Sequence, residues 1–249
     1  MSGGVSPRVI GHRGAAGSAP ENTLAGFRRA AELGCQWVEF DVQLSADGVP
    51  ILLHDSRLNR TSSGRGRAAR LTLAELKKLD AGSWFGAEFS GERILTLAEA
   101  LQEIARLGLI PNIEIKAARS KAAEVARVVL RLAREVWPKS APLPLVSSFA
   151  PEALVEAARI CPDWPRGYLA ARFSLFAMKE AKQLGCTFFN LSAKHIKATQ
   201  ITKLCNAGFY VLAYTVNDKI EATRLFTLGV KGVFSDLPDE ILCLEGDSG

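Results

Sequence analysis

Eight apolar runs of strand length alternate with helix-period stretches along 249 residues. That rhythm predicts an α/β fold, a TIM-type (β/α)8 barrel with an insertion after the second-strand hairpin. Three observations carry the expectation: the alternation, a count of eight once one hairpin arm is set aside, and a length that suits one large barrel. Residues 1–249 are therefore read as a single domain.

The predicted strands are 8–12, 36–42, 111–116, 144–148, 166–170, 187–191, 209–214 and 231–235. Between them lie amphipathic segments at 20–33, 119–137, 151–160, 174–184, 199–207 and 218–228. Ser18-Ala-Pro-Glu21 and Thr96-Leu-Ala-Glu99 have the spacing of capping boxes and are expected to open helices. A ninth strand, 49–53, follows 36–42 across Ala46-Asp47-Gly48. That gap is too short for a crossover helix, so the two should pair as a hairpin. The stretch 55–95 is rich in Gly, Ser and Arg, with one short helix opened by Thr72-Leu-Ala-Glu75. A polar excursion of that length is expected to lie over the barrel mouth and to serve function.

Composition narrows the function classes. Hydrophobic content of 48% and charged content of 23% suffice for a sizeable core. No window reaches the roughly 18 apolar residues of a membrane span, and Met1–Pro7 lacks the apolar core of a signal peptide. The five cysteines, Cys35, Cys161, Cys186, Cys205 and Cys243, show neither CxxC nor CxH spacing. Reduced thiols in a cytoplasmic protein are expected. The net charge of +5 is modest, and Arg65, Arg67 and Arg70, its densest group, have no interleaved aromatics. They read as a solvated loop, and no nucleic-acid partner is expected.

The chemistry concentrates at strand ends. Side chains alternate along a strand, so in 36–42 Glu39 and Asp41 share one face while Val38, Phe40 and Val42 share the other. Both faces of a parallel sheet should be apolar, so two inward carboxylates cost desolvation unless a cation neutralises them. Strand 111–116 repeats the pattern with Glu114 and Lys116 inward. Three carboxylates at strand C-termini suit a hard divalent cation with oxygen ligands. His12 ends the first strand and His54 the hairpin arm. Beside the acidic cluster they form an acid–base pair, in either assignment. His195, after the seventh strand, is read as structural. Arg13 and Lys116 supply positive charge for a phosphate.

These residues belong to an ordered series. His12-Arg13-Gly14, Ala19-Pro20-Glu21-Asn22-Thr23-Leu24, Glu39-Phe-Asp41-Val42, Asp47-Gly48 and His54-Asp55 come first. Leu58-Asn-Arg60-Thr61, Gly82-Ser-Trp84-Phe85, Glu114-Ile-Lys116 and Thr215-Val-Asn217 follow. From residue 8 to about 237 the series resembles the signature of glycerophosphodiester phosphodiesterases. The resemblance implies that Glu39, Asp41 and Glu114 hold one Mg²⁺ or Ca²⁺, that His12 and His54 act in acid–base catalysis, and that Arg13 and Lys116 bind phosphate. The expected substrate is a small glycerophosphodiester, hydrolysed to sn-glycerol 3-phosphate and an alcohol. Trp84 and Phe85 are expected to close over it, and Tyr214 to wall the glycerol pocket. Ser45, Leu95 and Tyr214 stand where the family pattern commonly has threonine, proline and tryptophan. Two other readings compete: a phospholipase D-like lyase on lysophospholipids or sphingomyelin, and a non-catalytic barrel that binds phosphodiesters.

Overall fold

The computed structural model describes residues 7–246, apart from the side chains of His195 and Glu245. The readings of the first six residues and of the His195 side chain lie outside what is described. Eight parallel strands close a barrel: β1 (Val9–Gly11), β2 (Trp37–Leu44), β4 (Ile110–Ile115), β5 (Leu145–Ser148), β6 (Arg166–Ala170), β7 (Phe188–Ser192), β8 (Tyr210–Tyr214) and β9 (Gly232–Ser235). β1 pairs with both β2 and β9, which completes the ring. The remaining strand, β3 (Pro50–Leu52), is the predicted hairpin arm and runs antiparallel to β2. β1 is short and pairs only with Trp37 and Val38 of β2. The edge it leaves free, Val42–Leu44, is the edge that β3 takes.

Alternation sorts the side chains as period two requires. Val38, Phe40 and Val42 join the outer core with α1 (Leu24–Glu32), α3 (Leu97–Arg106) and α4 (Arg119–Val136). Ile10, Trp37, Ile110, Leu145, Phe188, Leu212 and Phe234 form a separate apolar cluster from seven barrel strands. This cluster closes the barrel interior below the carboxylates, because Trp37 precedes Glu39 and Asp41 on the inward face of β2. Four further helices complete the crossovers between β5 and β9: α5 (Pro151–Ile160), α6 (Leu175–Gln183), α7 (Ala198–Asn206) and α8 (Lys219–Thr227). α9 (Pro238–Gly246) follows the last strand.

One helix start departs from expectation. The Ser18–Glu21 box does not cap α1; Thr23 does, its Oγ1 accepting from the Gly26 N–H at 3.1 Å. The Glu21 carboxylate is held instead by the guanidinium groups of Arg13 and Arg60, so it does not reach back to a cap. Thr96 and Thr72 do form capping boxes, opening α3 and α2 (Leu73–Leu76).

The 55–95 insertion has a small core of its own. Leu58, Ala68, Leu76, Ala81 and Ile94 pack with Ile51 and Leu53 of the hairpin arm. Besides α2 it contains two 3₁₀ turns, Ala68–Arg70 and Ala87–Phe89. Asp80 ties its loop by accepting from the N–H groups of Gly82, Ser83 and Gly91 at 2.6–2.9 Å. The chain rejoins the barrel where the Leu52 N–H donates to the Leu95 carbonyl at 2.8 Å.

Candidate active site

The carboxylates Glu39 and Asp41 of β2 and Glu114 of β4 converge because Asp41 and Glu114 are register partners across adjacent parallel strands. One oxygen from each lies within 4.8 Å of the others. Glu39 and Asp41 are 2% and 1% exposed, and Glu114 is 9% exposed. Two like charges 4.8 Å apart repel by roughly 3.5 kcal/mol at an effective dielectric of about 20. Burial, then the neighbouring carboxylates Asp41 and Glu114, push the Glu39 carboxyl well above the usual range. Burial, then Asp41, push Glu114 up to about 7. Burial alone would raise Asp41 too, but Lys116 and Arg13 outweigh it and hold it below its ordinary value.

The residues fit a divalent cation. Glu39 Oε1 is buried without a hydrogen-bond partner, and a buried acceptor in that state calls for a ligand. Three carboxylate oxygens from two rigid strands form a donor set for a hard ion. The positive charge around the trio is fixed: Lys116 Nζ lies 3.0 Å from Glu114 and 3.5 Å from Asp41, and Arg13 Nε lies 3.4 Å from Asp41.

Arg13 reaches this position through its backbone. It has φ +52°, and Asn22 has φ +58°, both in the left-handed region that non-glycine residues seldom occupy. The turn after β1 is so tight that a Cβ on Gly11 would sit 2.2 Å from the Gly14 carbonyl oxygen. Folding back in this way lets the Arg13 N–H donate to Glu39 Oε2 at 3.0 Å while its side chain donates to Glu21 at 2.9 Å. Asn22 makes a two-way bond with Asp41, donating to Oδ2 at 3.0 Å and accepting from the N–H at 3.1 Å.

Each catalytic histidine candidate is held at Nδ1 by a carboxylate. His12 Nδ1 lies 2.7 Å from Asp236 Oδ1 just beyond β9, leaving Nε2 3.9 Å from Glu39. Asp236 is itself clamped by Asn217, whose Nδ2 donates to Oδ2 at 2.8 Å and whose Oδ1 accepts from the Asp236 N–H at 2.8 Å. His54 Nδ1 lies 2.8 Å from Asp55 Oδ1. Burial lowers the His54 pKa below that of a free imidazole, with Asp41 and the Asp55 bond opposing the shift. A cleft of about 560 Å³ opens beside the trio, lined by Gln43, Ser45, His54, Glu114, Lys116 and Phe149 among others. Among the site groups it reaches His54, Glu114 and Lys116.

A model of the glycerophosphoryl diester phosphodiesterase family matches residues 12–240. The chain belongs to that family. It is 32% identical over 246 residues to a glycerophosphodiester phosphodiesterase of Caldanaerobacter subterraneus subsp. tengcongensis, covering 97% of this chain and 98% of the relative. A Bacillus subtilis glycerophosphodiester phosphodiesterase is 30% identical over 248 residues, covering 93% and 84%. An Oleispira antarctica phosphodiesterase, solved in complex with the product sn-glycerol-3-phosphate, superposes with a TM-score of 0.93. It is 39% identical, with 96% of this chain and 97% of that one covered.

Around the trio the structure brings His12, Arg13, Glu39, Asp41, His54, Glu114 and Lys116 together. Tyr214 ends β8 with its hydroxyl donating to the Ala170 carbonyl at 2.9 Å and its ring edge-on to Phe149 at 6.0 Å. Burial, then Glu114, raise its pKa. Trp84 and Phe85 stand apart from the cleft lining. They pack edge-on at 5.6 Å, Phe85 meets Phe89 at 5.5 Å, and the Trp84 indole N–H donates to the Ala81 carbonyl. Sequence reasoning assigned no part in the site to Glu21, Asn22, Asp55, Arg60, Asn217 or Asp236. All but Asp236 lie in the quoted motifs, and Asp236 follows the last barrel strand, where catalytic groups of such barrels gather.

Proposed function

We propose that this protein hydrolyses glycerophosphodiesters to sn-glycerol 3-phosphate and an alcohol, with one Mg²⁺ or Ca²⁺ held by Glu39, Asp41 and Glu114. The observation that carries the reading is the pair of histidines, each backed by a carboxylate, beside a buried carboxylate trio. When bound, the divalent ion supplies Lewis-acid polarisation of the phosphoryl oxygens. Arg13 and Lys116 take the phosphodiester's negative charge. Tyr214 walls the glycerol pocket, and Trp84 and Phe85 act from the insertion. The whole chain serves as one catalytic barrel domain with 55–95 as its mouth element.

His12 accepts a proton from the attacking oxygen through Nε2, and Asp236 stabilises the imidazolium that forms. The bond from phosphorus to the leaving alkoxide breaks as His54 delivers a proton to it, and the net reaction consumes one water.

No helix among the described residues is long and apolar enough to cross a membrane. The five cysteines are free thiols, which supports placement in the reducing cytoplasm. The test is assay of purified protein on glycerophosphocholine and lysophosphatidylcholine, with and without chelator. Chelator-sensitive release of glycerol 3-phosphate from the first supports the reading. Preference for the second points to the lyase, and tight binding of both without turnover to a binding module.

A further inference from the structure

Arg60 stands at the centre of an ion-pair chain that joins two halves of the site. It comes from the insertion, not from a barrel strand. Its Nη1 and Nη2 donate to Oε2 and Oε1 of Glu21 at 2.6 and 2.9 Å. Its Nε and Nη2 donate to Oδ2 and Oδ1 of Asp55 at 2.9 and 3.1 Å. One planar guanidinium thus engages two carboxylates in fork geometry, the arrangement that gives an arginine–carboxylate pair its directionality.

What lies beyond each carboxylate gives the clamp its meaning. Asp55 Oδ1 is also the partner of His54 Nδ1. Glu21 Oε1 also accepts from Arg13 Nη1 at 2.9 Å. The chain therefore runs His54, Asp55, Arg60, Glu21, Arg13, and ends on Asp41. Isolated exposed ion pairs contribute little, but here Glu21 is only 7% exposed and the bonds are bidentate and shared. Asp55 alone could pivot, being 31% exposed and adjacent in sequence to the histidine it holds. Arg60 removes that freedom.

We propose that Arg60 is a positioning residue that anchors Asp55, and through it His54, on the buried Glu21–Arg13 pair, so that the insertion takes part in catalysis through this side chain. The proposal rests on the functional reading above. Its scope differs, since the two carboxylates Arg60 bonds, Glu21 and Asp55, belong neither to the trio nor to the cleft lining.

The test is a double-mutant cycle with R60M and D55N, with R60K as the conservative variant. Each is assayed on glycerophosphocholine and on a nitrophenyl phosphodiester of glycerol, whose leaving group needs little protonation. R60M should lower kcat on glycerophosphocholine by about 10- to 100-fold, with a much smaller loss on the nitrophenyl ester. D55N should match that pattern, and the double variant should be no worse than the poorer single variant, because both act through one path. R60K should recover part of the loss. Wild-type kcat for R60M on both substrates, or multiplicative losses in the double variant, overturns the proposal. So does an equal loss on both substrates accompanied only by a lower melting temperature, the result of a merely structural role. If the wild-type protein itself fails to turn over glycerophosphocholine, the functional reading has failed instead.

Discussion

His12 Nδ1 lies 2.7 Å from the Oδ1 of Asp236, a residue 224 positions further along the chain. Barrel closure creates the contact: β1 pairs with β9, so the first and last strand ends meet at one rim. With Nδ1 committed to a carboxylate, the imidazole presents Nε2 to the site in a fixed orientation. Asp236 itself cannot swing away, since Asn217 grips both its side chain and its N–H.

Replacement of Asp236 by asparagine keeps the shape and removes the charge that stabilises a protonated His12. D236N should lose at least about 10-fold in kcat on glycerophosphocholine, within the range of acid–base effects, with KM changed far less. Steady-state kinetics alongside circular dichroism checks this. An unchanged kcat in a folded variant would remove Asp236 from the mechanism.

The two histidines separate by leaving group. An alkoxide must be protonated as its bond to phosphorus breaks, whereas a nitrophenolate leaves unaided. H54A and H12A should each lose about 10² to 10⁴ in rate on glycerophosphocholine. On the nitrophenyl diester H54A should recover much of its activity while H12A stays impaired. The opposite pattern swaps the two roles, and equal loss on both substrates assigns both residues to binding. Metal content is measured in each variant so that a displaced ion is not mistaken for a lost proton donor.

A third prediction concerns acid stability at a distance from the site. The bond from Arg106, joined by Arg28, holds the Glu103 carboxyl at about 2 against an ordinary 4.5. The folded value is depressed, so the stabilisation is present above about pH 4.5 and is lost as pH falls through about 2. Both arginines are more than half exposed, so solvent screens the cluster and the effect is small. E103Q should lower the melting temperature at pH 7 by less than about 4 °C, and the difference from wild type should shrink to nothing near pH 2. A difference that grew on acidification would show that the carboxylate is not stabilised by these arginines.

Most of the barrel was legible because strand-length apolar runs alternate with helix-period stretches, and the site because Glu39, Asp41 and Glu114 put charge on a strand face that a parallel sheet keeps apolar. The β2–β3 hairpin followed from a connection too short for a helix. What sequence left hidden is what depends on distant partners. Asp236 acts on His12 only after the ring closes, and Arg60 meets Glu21 across 39 positions. The capping-box expectation at Ser18 failed for the same reason: a local spacing rule was overridden when Arg13 and Arg60 took the Glu21 carboxylate. Trp84 and Phe85, expected over the substrate, pack edge-on with each other, and Phe85 with Phe89, while Trp84 stays 38% exposed.

The account's central claim is that the buried trio works as a divalent-cation site. Stripping the protein of metal and titrating Mg²⁺ back while following both bound ion and glycerophosphocholine turnover tests it most directly. Activity should be abolished by stripping and should return in proportion to bound ion, saturating at one per chain, and E114Q should bind the ion more weakly. Full turnover by verified metal-free protein, or by E114Q with no ion bound, would contradict it.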